Sequence, residues 1–252
     1  MTQRPYTQLA EYYDRFFTSH RPAYRRARRT ILGPLLPRVR SACELACGTG
    51  WTALEFARRG IKVYAVDLSP VMCRIARAKA RRAGAPVVVR QGDMPTFRLP
   101  EPVDLITSEY DAVNHVLRKS DLMRVARAAA RALRPGGYFY FDVNNRAHLE
   151  KNWSGASWQE RPGVAMVMRG SYDRRRAKGC ADFEWFVQDG KRWRRFREHV
   201  EEVWWTPAEI RRTLRAAGFQ AIRAWDAAPF SQGHPRLPPG CRTFYLARKR
   251  LL

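Results

Sequence analysis

The sequence predicts an α/β protein with a mostly parallel, seven-stranded sheet and helices on both faces. Three observations carry this. From Ser41 to Val143, short apolar runs alternate with segments of helical period, as parallel strands joined by crossover helices do. The first run breaks into a glycine turn, Gly48-Thr49-Gly50, that feeds a helix. The residues able to do chemistry, Glu44 to Gly50, Asp67, Asp93 and Ser108 to Asp111, all fall at the carboxyl ends of such runs, where open α/β sheets bind ligands.

In order, Tyr6, Leu9, Ala10, Tyr13, Phe16 and Phe17 recur at helical spacing and predict a first helix. Pro22 starts a second, with Tyr24, Ala27, Ile31 and Leu35 on one side and Gly33-Pro34 at its end. Ser41 opens the first strand, Trp51 to Arg59 is a helix, and Ile61 to Val66 is the second strand. Ser69 caps the next helix, with Pro70 at its first position and Val71, Ile75 and Ala78 as its buried stripe. Val87 to Arg90 and Val103 to Thr107 are strands three and four. Ser120 caps a helix with Leu122, Val125, Ala126, Ala129 and Leu133 inward, and Gly136 to Val143 is the fifth strand.

Beyond Val143 the period drops to two. Val164 to Arg169, Asp182 to Val187 and Arg192 to Trp204 read as an antiparallel β insertion, with turns at Asp173 to Gly179 and Asp189-Gly190. Thr206 and Pro207 start a helix that ends at Gly218, with Ile210 and Leu214 buried. Phe219 to Trp225 and Arg242 to Ala247 are the last two strands, separated by a proline- and glycine-rich loop, Ser231 to Gly240. The expected organisation is an N-terminal helical lid (residues 1–40), a core (41–149 and 206–252) and the β insertion (150–205).

The ligand follows from the acids. Asp67 ends the second strand 17 residues beyond Gly50, where a carboxylate can hold both hydroxyls of a ribose. Gly48, Gly50 and Ala53 also fit a dinucleotide fingerprint. Glu44, beside the turn, repels a pyrophosphate but suits a ligand carrying an ammonium and a sulfonium. Gln91-Gly92-Asp93-Met94 closes the third strand and offers a carboxylate to an adenine amino group, and Leu133-Arg134-Pro135-Gly136-Gly137-Tyr138 leads into the fifth strand.

With these residues the chain resembles a class I S-adenosylmethionine-dependent methyltransferase. Glu44–Gly50 is similar to that family's first motif, Asp67 to its second-strand acid, Gly92-Asp93-Met94 to its third-strand acid motif, and Arg134–Gly137 to its Pro-Gly-Gly turn. Ala46 stands where the usual pattern has its first glycine. The resemblance spans nearly the whole chain. It implies a Rossmann-like sheet and S-adenosylmethionine as cofactor, with S-adenosylhomocysteine as product. The cofactor-binding residues it implies are Tyr13, Glu44, Ala46, Cys47, Gly48, Thr49, Gly50, Asp67, Leu68, Met72, Gly92, Asp93, Met94, Glu109 and Tyr110.

Ser108-Glu109-Tyr110-Asp111-Ala112-Val113-Asn114-His115 is similar to a stretch in a branch of the family that acts mainly on small molecules. His115 is the first candidate base, since an unperturbed imidazole titrates near 6.5, and Asp111 the second. Glu109 can face the cofactor or select a cationic acceptor. Asn144, Trp153 and His199 lie in stretches that also resemble that branch and are candidate acceptor-binding residues.

Composition bounds the rest. The 45% apolar content suits a globular protein, and no apolar run approaches the roughly 20 residues of a membrane span, so a soluble, cytoplasmic protein is expected. The five cysteines, Cys43, Cys47, Cys73, Cys180 and Cys241, contain no Cys-x-x-Cys, and no metal is expected. The net charge of +24 invites a polyanion, and Lys191-Arg192-Trp193-Arg194-Arg195-Phe196-Arg197 interleaves bases with aromatics. Elsewhere the arginines are spread along polar helix faces, which favours a small-molecule acceptor over nucleic acid. The expected protein is a monomer or homodimer that methylates a nitrogen or oxygen of a small molecule. The alternatives are a nucleic-acid methyltransferase, a non-catalytic nucleoside-binding protein and a NAD-dependent oxidoreductase.

Overall fold

The alternation between Ser41 and Val143 builds the centre of the molecule in the structure, a computed structural model that describes Tyr6, residues 9–232 and residues 237–251. A 3₁₀ turn at Leu9–Glu11 precedes α1 (Tyr13–Phe16) and α2 (Arg21–Ile31). Then come β1 (Ser41–Leu45), α3 (Trp51–Ala57), β2 (Lys62–Asp67), α4 (Pro70–Arg82), β3 (Val87–Gln91) and β4 (Val103–Ser108). A 3₁₀ turn, Ala112–His115, leads to α5 (Lys119–Ala132), β5 (Leu133–Asn144) and α6 (Arg146–Asn152). Four strands follow: β6 (Gly155–Arg161), β7 (Val164–Asp173), β8 (Lys178–Asp189) and β9 (Arg192–Val203). The chain closes with α7 (Pro207–Ala216), β10 (Phe219–Asp226), α8 (Ala228–Ser231) and β11 (Arg242–Lys249).

Seven strands form the main sheet in the order β10-β11-β5-β4-β1-β2-β3. β1 through β5 run parallel, and β11 is antiparallel to both its neighbours. Order reverses at β1, between β2 and β4, so the carboxyl ends of these three strands open onto one crevice. The alternating pleat sends neighbours to opposite faces. Cys43 and Leu45 join Ile106, Phe139 and Phe141 beneath α5 and α7. Ala42 joins Val63, Ala65, Leu105 and Tyr140 beneath α2, α3 and α4. β6-β7-β8-β9 form a separate antiparallel sheet. Its inner face, with Met166, Phe183, Trp185 and Val200, packs on Leu9 and Phe16 of the N-terminal segment and on Leu149 and Trp153.

Several expected elements differ. The first helix is broken into the Leu9–Glu11 turn and the short α1, and residues 7–8 lie outside the described residues. α2 is a layer of the core, with Tyr24, Ala27 and Leu32 against the main sheet. The buried stripe of α4 is Met72, Cys73, Ala76 and Ala80, whereas Val71, Ile75 and Ala78 are half-buried. The helix is turned so that Ala76 packs against Gly50 of the glycine turn. Ser69 does cap α4, accepting from the Met72 N–H at 3.3 Å. Ser120 is not a cap: α5 begins at Lys119 with Arg118 in the N-cap position and no side-chain cap. β5 starts at Leu133, so Pro135-Gly136-Gly137 lies inside the strand. α6 and β6 are additions, and β6 is an exposed edge strand without apolar alternation. Thr206 and Glu209 form a reciprocal capping box at α7. Of the Ser231–Gly240 loop, residues 233–236 lie outside the described residues. Among the described residues no helix is long and apolar enough to cross a membrane.

Candidate active site

A cavity of ≈ 620 Å³ lies over the carboxyl ends of β1, β2 and β4, within the size range of small-ligand sites. The glycine turn forms part of its wall. Ala46 adopts φ 51, Gly48 φ 52 and Gly50 φ 82, so three left-handed residues turn the chain from β1 into α3. A Cβ placed on Gly48 meets nothing within 4 Å, because the turn faces open space. A Cβ on Gly50 would approach the Cβ of Ala76 to 3.0 Å. Gly50 therefore lets α4 pack against the turn and is not part of the cavity wall, whereas Ala46, Cys47, Gly48 and Thr49 are.

Four acids line the cavity at strand ends: Glu44, Asp67, Asp93 and Glu109. Asp67 is held by backbone donors, accepting Gly48 N at 2.7 Å and Ser69 N at 2.8 Å. Burial raises its pKa, and those hydrogen bonds oppose the rise without cancelling it. Glu44 accepts the Ala53 N–H at 2.7 Å, so it also ties β1 to the first turn of α3. Its burial and the nearby Glu109 carboxylate push it up to about 8. Burial likewise pushes Glu109 to about 7, against the pull of the Arg28 guanidinium. Glu109 Oε2 accepts from Arg28 and from Thr52 Oγ1 at 2.8 Å. Its Oε1 is buried and has no hydrogen-bond partner. Two neighbouring acids held towards the protonated form by burial suit a ligand that brings positive charge to this wall. Leu68, Met72, Gly92 and Met94 supply apolar and backbone wall nearby, with Leu68 exposed.

Tyr13 and Tyr110 also line the cavity, and Tyr110 stacks on Tyr24 with ring centroids 4.0 Å apart. The N-terminal segment is tied down by Asp14. Its carboxylate accepts from Thr49 Oγ1 at 2.7 Å, Trp51 Nε1 at 3.0 Å, Arg21 Nη2 at 2.6 Å and Lys79. Burial raises the Asp14 pKa, but these donors more than reverse that.

At the other end of the cavity stands His115. Its Nδ1 is 2.9 Å from the Glu201 carbonyl oxygen, which can only accept, so Nδ1 carries the proton. Nε2 is then a free lone pair and accepts from the Tyr6 hydroxyl at 3.0 Å. Burial holds the imidazole below its usual pKa, with Asp111 only partly opposing. His115 is therefore neutral at pH 7.

The other acceptor candidates divide. His199 lines the cavity. Asp111, Asn144 and Trp153 do not. Asp111 accepts from Arg242 at 3.1 Å and from Asn144 Nδ2 at 2.8 Å. Burial would raise its pKa, but Arg242 and a hydrogen bond with Glu202 hold it well below the carboxylate range, so it is a poor proton acceptor. Asn144 is fully buried behind the cavity, also donating to Glu202 at 2.8 Å. Trp153 fills the second sheet's core, where a Cβ on Gly170 would come within 2.7 Å of its backbone. Of the Lys191–Arg197 segment, Arg195 and Arg197 converge on Glu184.

The structure adds Tyr6, Arg21, Thr52 and Glu201 to the wall. Tyr6 and Glu201 enter through the packing of the N-terminus and β9, which leaves no local pattern. Thr52 sits one residue after Trp51 in a turn already singled out and was within reach of sequence reasoning.

A family model described as a methyltransferase domain matches residues 42–137. The chain is 26% identical over 216 residues to a putative methyltransferase, YqeM, of Bacillus subtilis, covering 85% of this chain and 86% of that protein. It spans about half the length or less of several other curated relatives it matches. Its fold superposes with a TM-score of 0.82 on an S-adenosylmethionine-dependent methyltransferase from Clostridium acetobutylicum, at 22% identity over 96% of this chain and 98% of the other. It superposes with a TM-score of 0.79 on the sugar N-methyltransferase KedS8 from a Streptoalloteichus species, at 20% identity over 99% and 95%. Residues 42–137 therefore resemble a methyltransferase domain, and the chain as a whole has the fold of the S-adenosylmethionine-dependent methyltransferases on which it superposes.

Proposed function

We propose that the enzyme methylates a nitrogen or oxygen of a small-molecule acceptor, with His115 as the base and the cavity as the common site of donor and acceptor. One observation carries this reading. The unprotonated Nε2 of His115 is in the same cavity as the acids and glycine turn suited to a cationic nucleoside. S-adenosylmethionine, when bound, supplies an electrophilic methyl group on a sulfonium. Asp67 would hold the ribose hydroxyls and Asp93 the adenine amino group. Glu44 and Glu109 would face the positive charge.

His115 Nε2 takes the proton that the acceptor's N–H or O–H gives up as the new bond to carbon forms, and Tyr6 yields its place on Nε2 to the acceptor. Such a base contributes about 10²–10⁴-fold, while alignment of the reactants contributes about 7–11 kcal/mol. Tyr6, Tyr13 and Phe17 close the cavity from the N-terminal side and limit water there. Likeness to a sugar N-methyltransferase makes an amino sugar the first acceptor class to try. The cavity of ≈ 620 Å³ has the size of a small-ligand site, which supports this class over nucleic acid.

The test is turnover of His115→Ala and His115→Gln with a panel of amino sugars, simple amines and phenols, read as S-adenosylhomocysteine formed. Turnover should fall about 10²-fold or more with S-adenosylhomocysteine affinity unchanged. Undiminished turnover would remove His115 from the chemistry. Donor binding with no turnover on any acceptor would favour a non-catalytic binding protein.

A further inference from the structure

We propose that Cys180, His199 and Glu201 form a three-ligand site for a zinc-class divalent cation at the rim of the cavity. This inference stands independently of the methyl-transfer reading.

The site is made by strand register. Cys180 on β8 lies directly opposite Glu201 on β9, and Asp182 lies opposite His199. Residues two apart on a strand share a face, so all four side chains project from the same side of the hairpin. One ligand atom each from Cys180, His199 and Glu201 lie within 4.8 Å of one another. Cys180 Sγ is 3.7 Å from Glu201 Oε1, and His199 Nε2 is 3.5 Å from the same oxygen. Tetrahedral zinc with bonds of about 2.0–2.3 Å needs its ligand atoms about 3.3–3.6 Å apart, so small rotations close the site.

A second, independent feature points the same way. Asp182 Oδ1 is 2.7 Å from His199 Nδ1. A carboxylate on one imidazole nitrogen fixes the tautomer and leaves the other as a lone pair for a metal, the arrangement typical of zinc-bound histidines. Here Nε2 lies 3.5 Å from Glu201 Oε1, and because Asp182 and Glu201 raise the imidazole pKa, an ion displaces a proton from Nε2 as it binds. The mixed sulfur, nitrogen and oxygen set selects zinc-class ions over magnesium or calcium, which prefer oxygen alone.

Lys178 Nζ lies 2.5 Å from Glu201 Oε1 and supplies the positive charge that an ion would otherwise bring. A bound cation displaces this ammonium towards solvent, and the Cys180 thiol gives its proton to water as the sulfur–metal bond forms. His199 and Glu201 also line the cavity, which puts the ion at its rim. The spacing of cysteines along the chain gave no hint of this, because the ligands are paired across a ladder.

The test uses the full chain, stripped with a chelator and titrated with zinc chloride by calorimetry, then with cobalt(II) by absorption. We expect one zinc per chain and, with cobalt, a thiolate-to-metal charge-transfer band beside intense tetrahedral bands. Cys180→Ser should abolish the charge-transfer band and weaken zinc binding at least 100-fold. Asp182→Asn should weaken it about 10–100-fold, and Lys178→Ala should strengthen it. Cobalt bound by the wild-type protein without the sulfur band would overturn the proposal, because the other carboxylate and histidine cluster near the cavity, Asp111, His115 and Glu202, has no sulfur. So would equal zinc affinity in wild type and Cys180→Ser, or no zinc binding at all. The cobalt spectrum is read on the unmutated chain, so the outcome does not depend on whether a variant folds.

Discussion

Glu44→Gln separates the charge of this residue from its structural role. Glu44 lies 4% exposed at the end of β1 and accepts the Ala53 N–H at 2.7 Å. A glutamine carbonyl can keep that hydrogen bond, so the fold should survive. With the pKa pushed up to about 8, the wild-type side chain is about nine-tenths protonated at pH 7, and ionising it there costs about 1.4 kcal/mol. An ammonium about 4 Å away returns about 4 kcal/mol at an effective dielectric constant of about 20. The net of roughly 2–3 kcal/mol corresponds to about a 30- to 150-fold weaker Kd for S-adenosylhomocysteine, which keeps the ammonium, in Glu44→Gln. Calorimetry in two buffers of different ionisation enthalpy should also show wild type releasing close to one proton on binding at pH 7, and the variant releasing less. Wild-type affinity should rise with pH up to about 8. For stability the sign runs the other way. The folded state holds a proton that the unfolded state loses above about 4.5, so wild type loses stability as pH rises from there through about 8. Glu44→Gln lacks that loss, and the Tm difference should move in its favour from pH 6 to pH 9. Equal Kd and equal proton release in both proteins would refute this account.

Asp67→Ala removes the acceptor of two backbone N–H groups and should weaken S-adenosylhomocysteine binding by about 1–3 kcal/mol; unchanged affinity would place the ribose elsewhere. Asp14→Ala releases Thr49, Trp51, Arg21 and Lys79 together, and limited trypsin digestion should then cut faster at Arg15; an unaltered rate would show that other contacts hold the N-terminal segment. Arg242→Met leaves the fully buried Asp142 without its only ion-pair partner among the described residues, although Tyr24 and the Asp111 N–H still donate to it, and should cost about 3–5 kcal/mol in urea denaturation; a loss below about 1 kcal/mol would show that the ion pair does not stabilise the fold.

That Glu44, Gly48, Thr49, Asp67 and Asp93 share one cavity wall was legible in the sequence because the pattern is local. Glu44, Gly48 and Thr49 lie within one strand–turn–helix unit, and Asp67 and Asp93 close the next two strands. A period of two or 3.6 fixes where such strands end, and the parallel sheet brings the ends together. The acceptor end was read less well because the third dimension decides it. At the end of β5, Asn144 looks like a ligand-facing polar residue in sequence, yet it is buried between Asp111 and Glu202. Trp153 was placed in the pocket by resemblance, but two small residues, Gly170 and Gly179, make room for it in another core. The stripe on α4 was misread because Met72, Cys73, Ala76 and Ala80, not the branched Val71 and Ile75, are its buried residues.

The two ends of the cavity solve the same electrostatic problem differently. Near each end two acids form a pair beside an arginine: Glu109 and Glu44 beside Arg28, and, behind the cavity wall, Asp111 and Glu202 beside Arg242, which also pairs with the buried Asp142. The second member of each pair, Glu44 or Glu202, is driven by burial and by its neighbour to keep its proton. Glu44 lines the cavity, so a cationic ligand can take over the neutralising role and release that proton. Glu202 sits behind His115, with Oε1 3.8 Å from Nε2, and no ligand reaches it. Were Glu202 ionised, its charge would raise the His115 pKa and favour a proton on Nε2. Kept protonated, and hydrogen-bonded with Asp111 and Asn144, it leaves His115 neutral. Burial thus has two effects here: at one end it makes a carboxylate wait for a positive charge, and at the other it keeps an imidazole neutral.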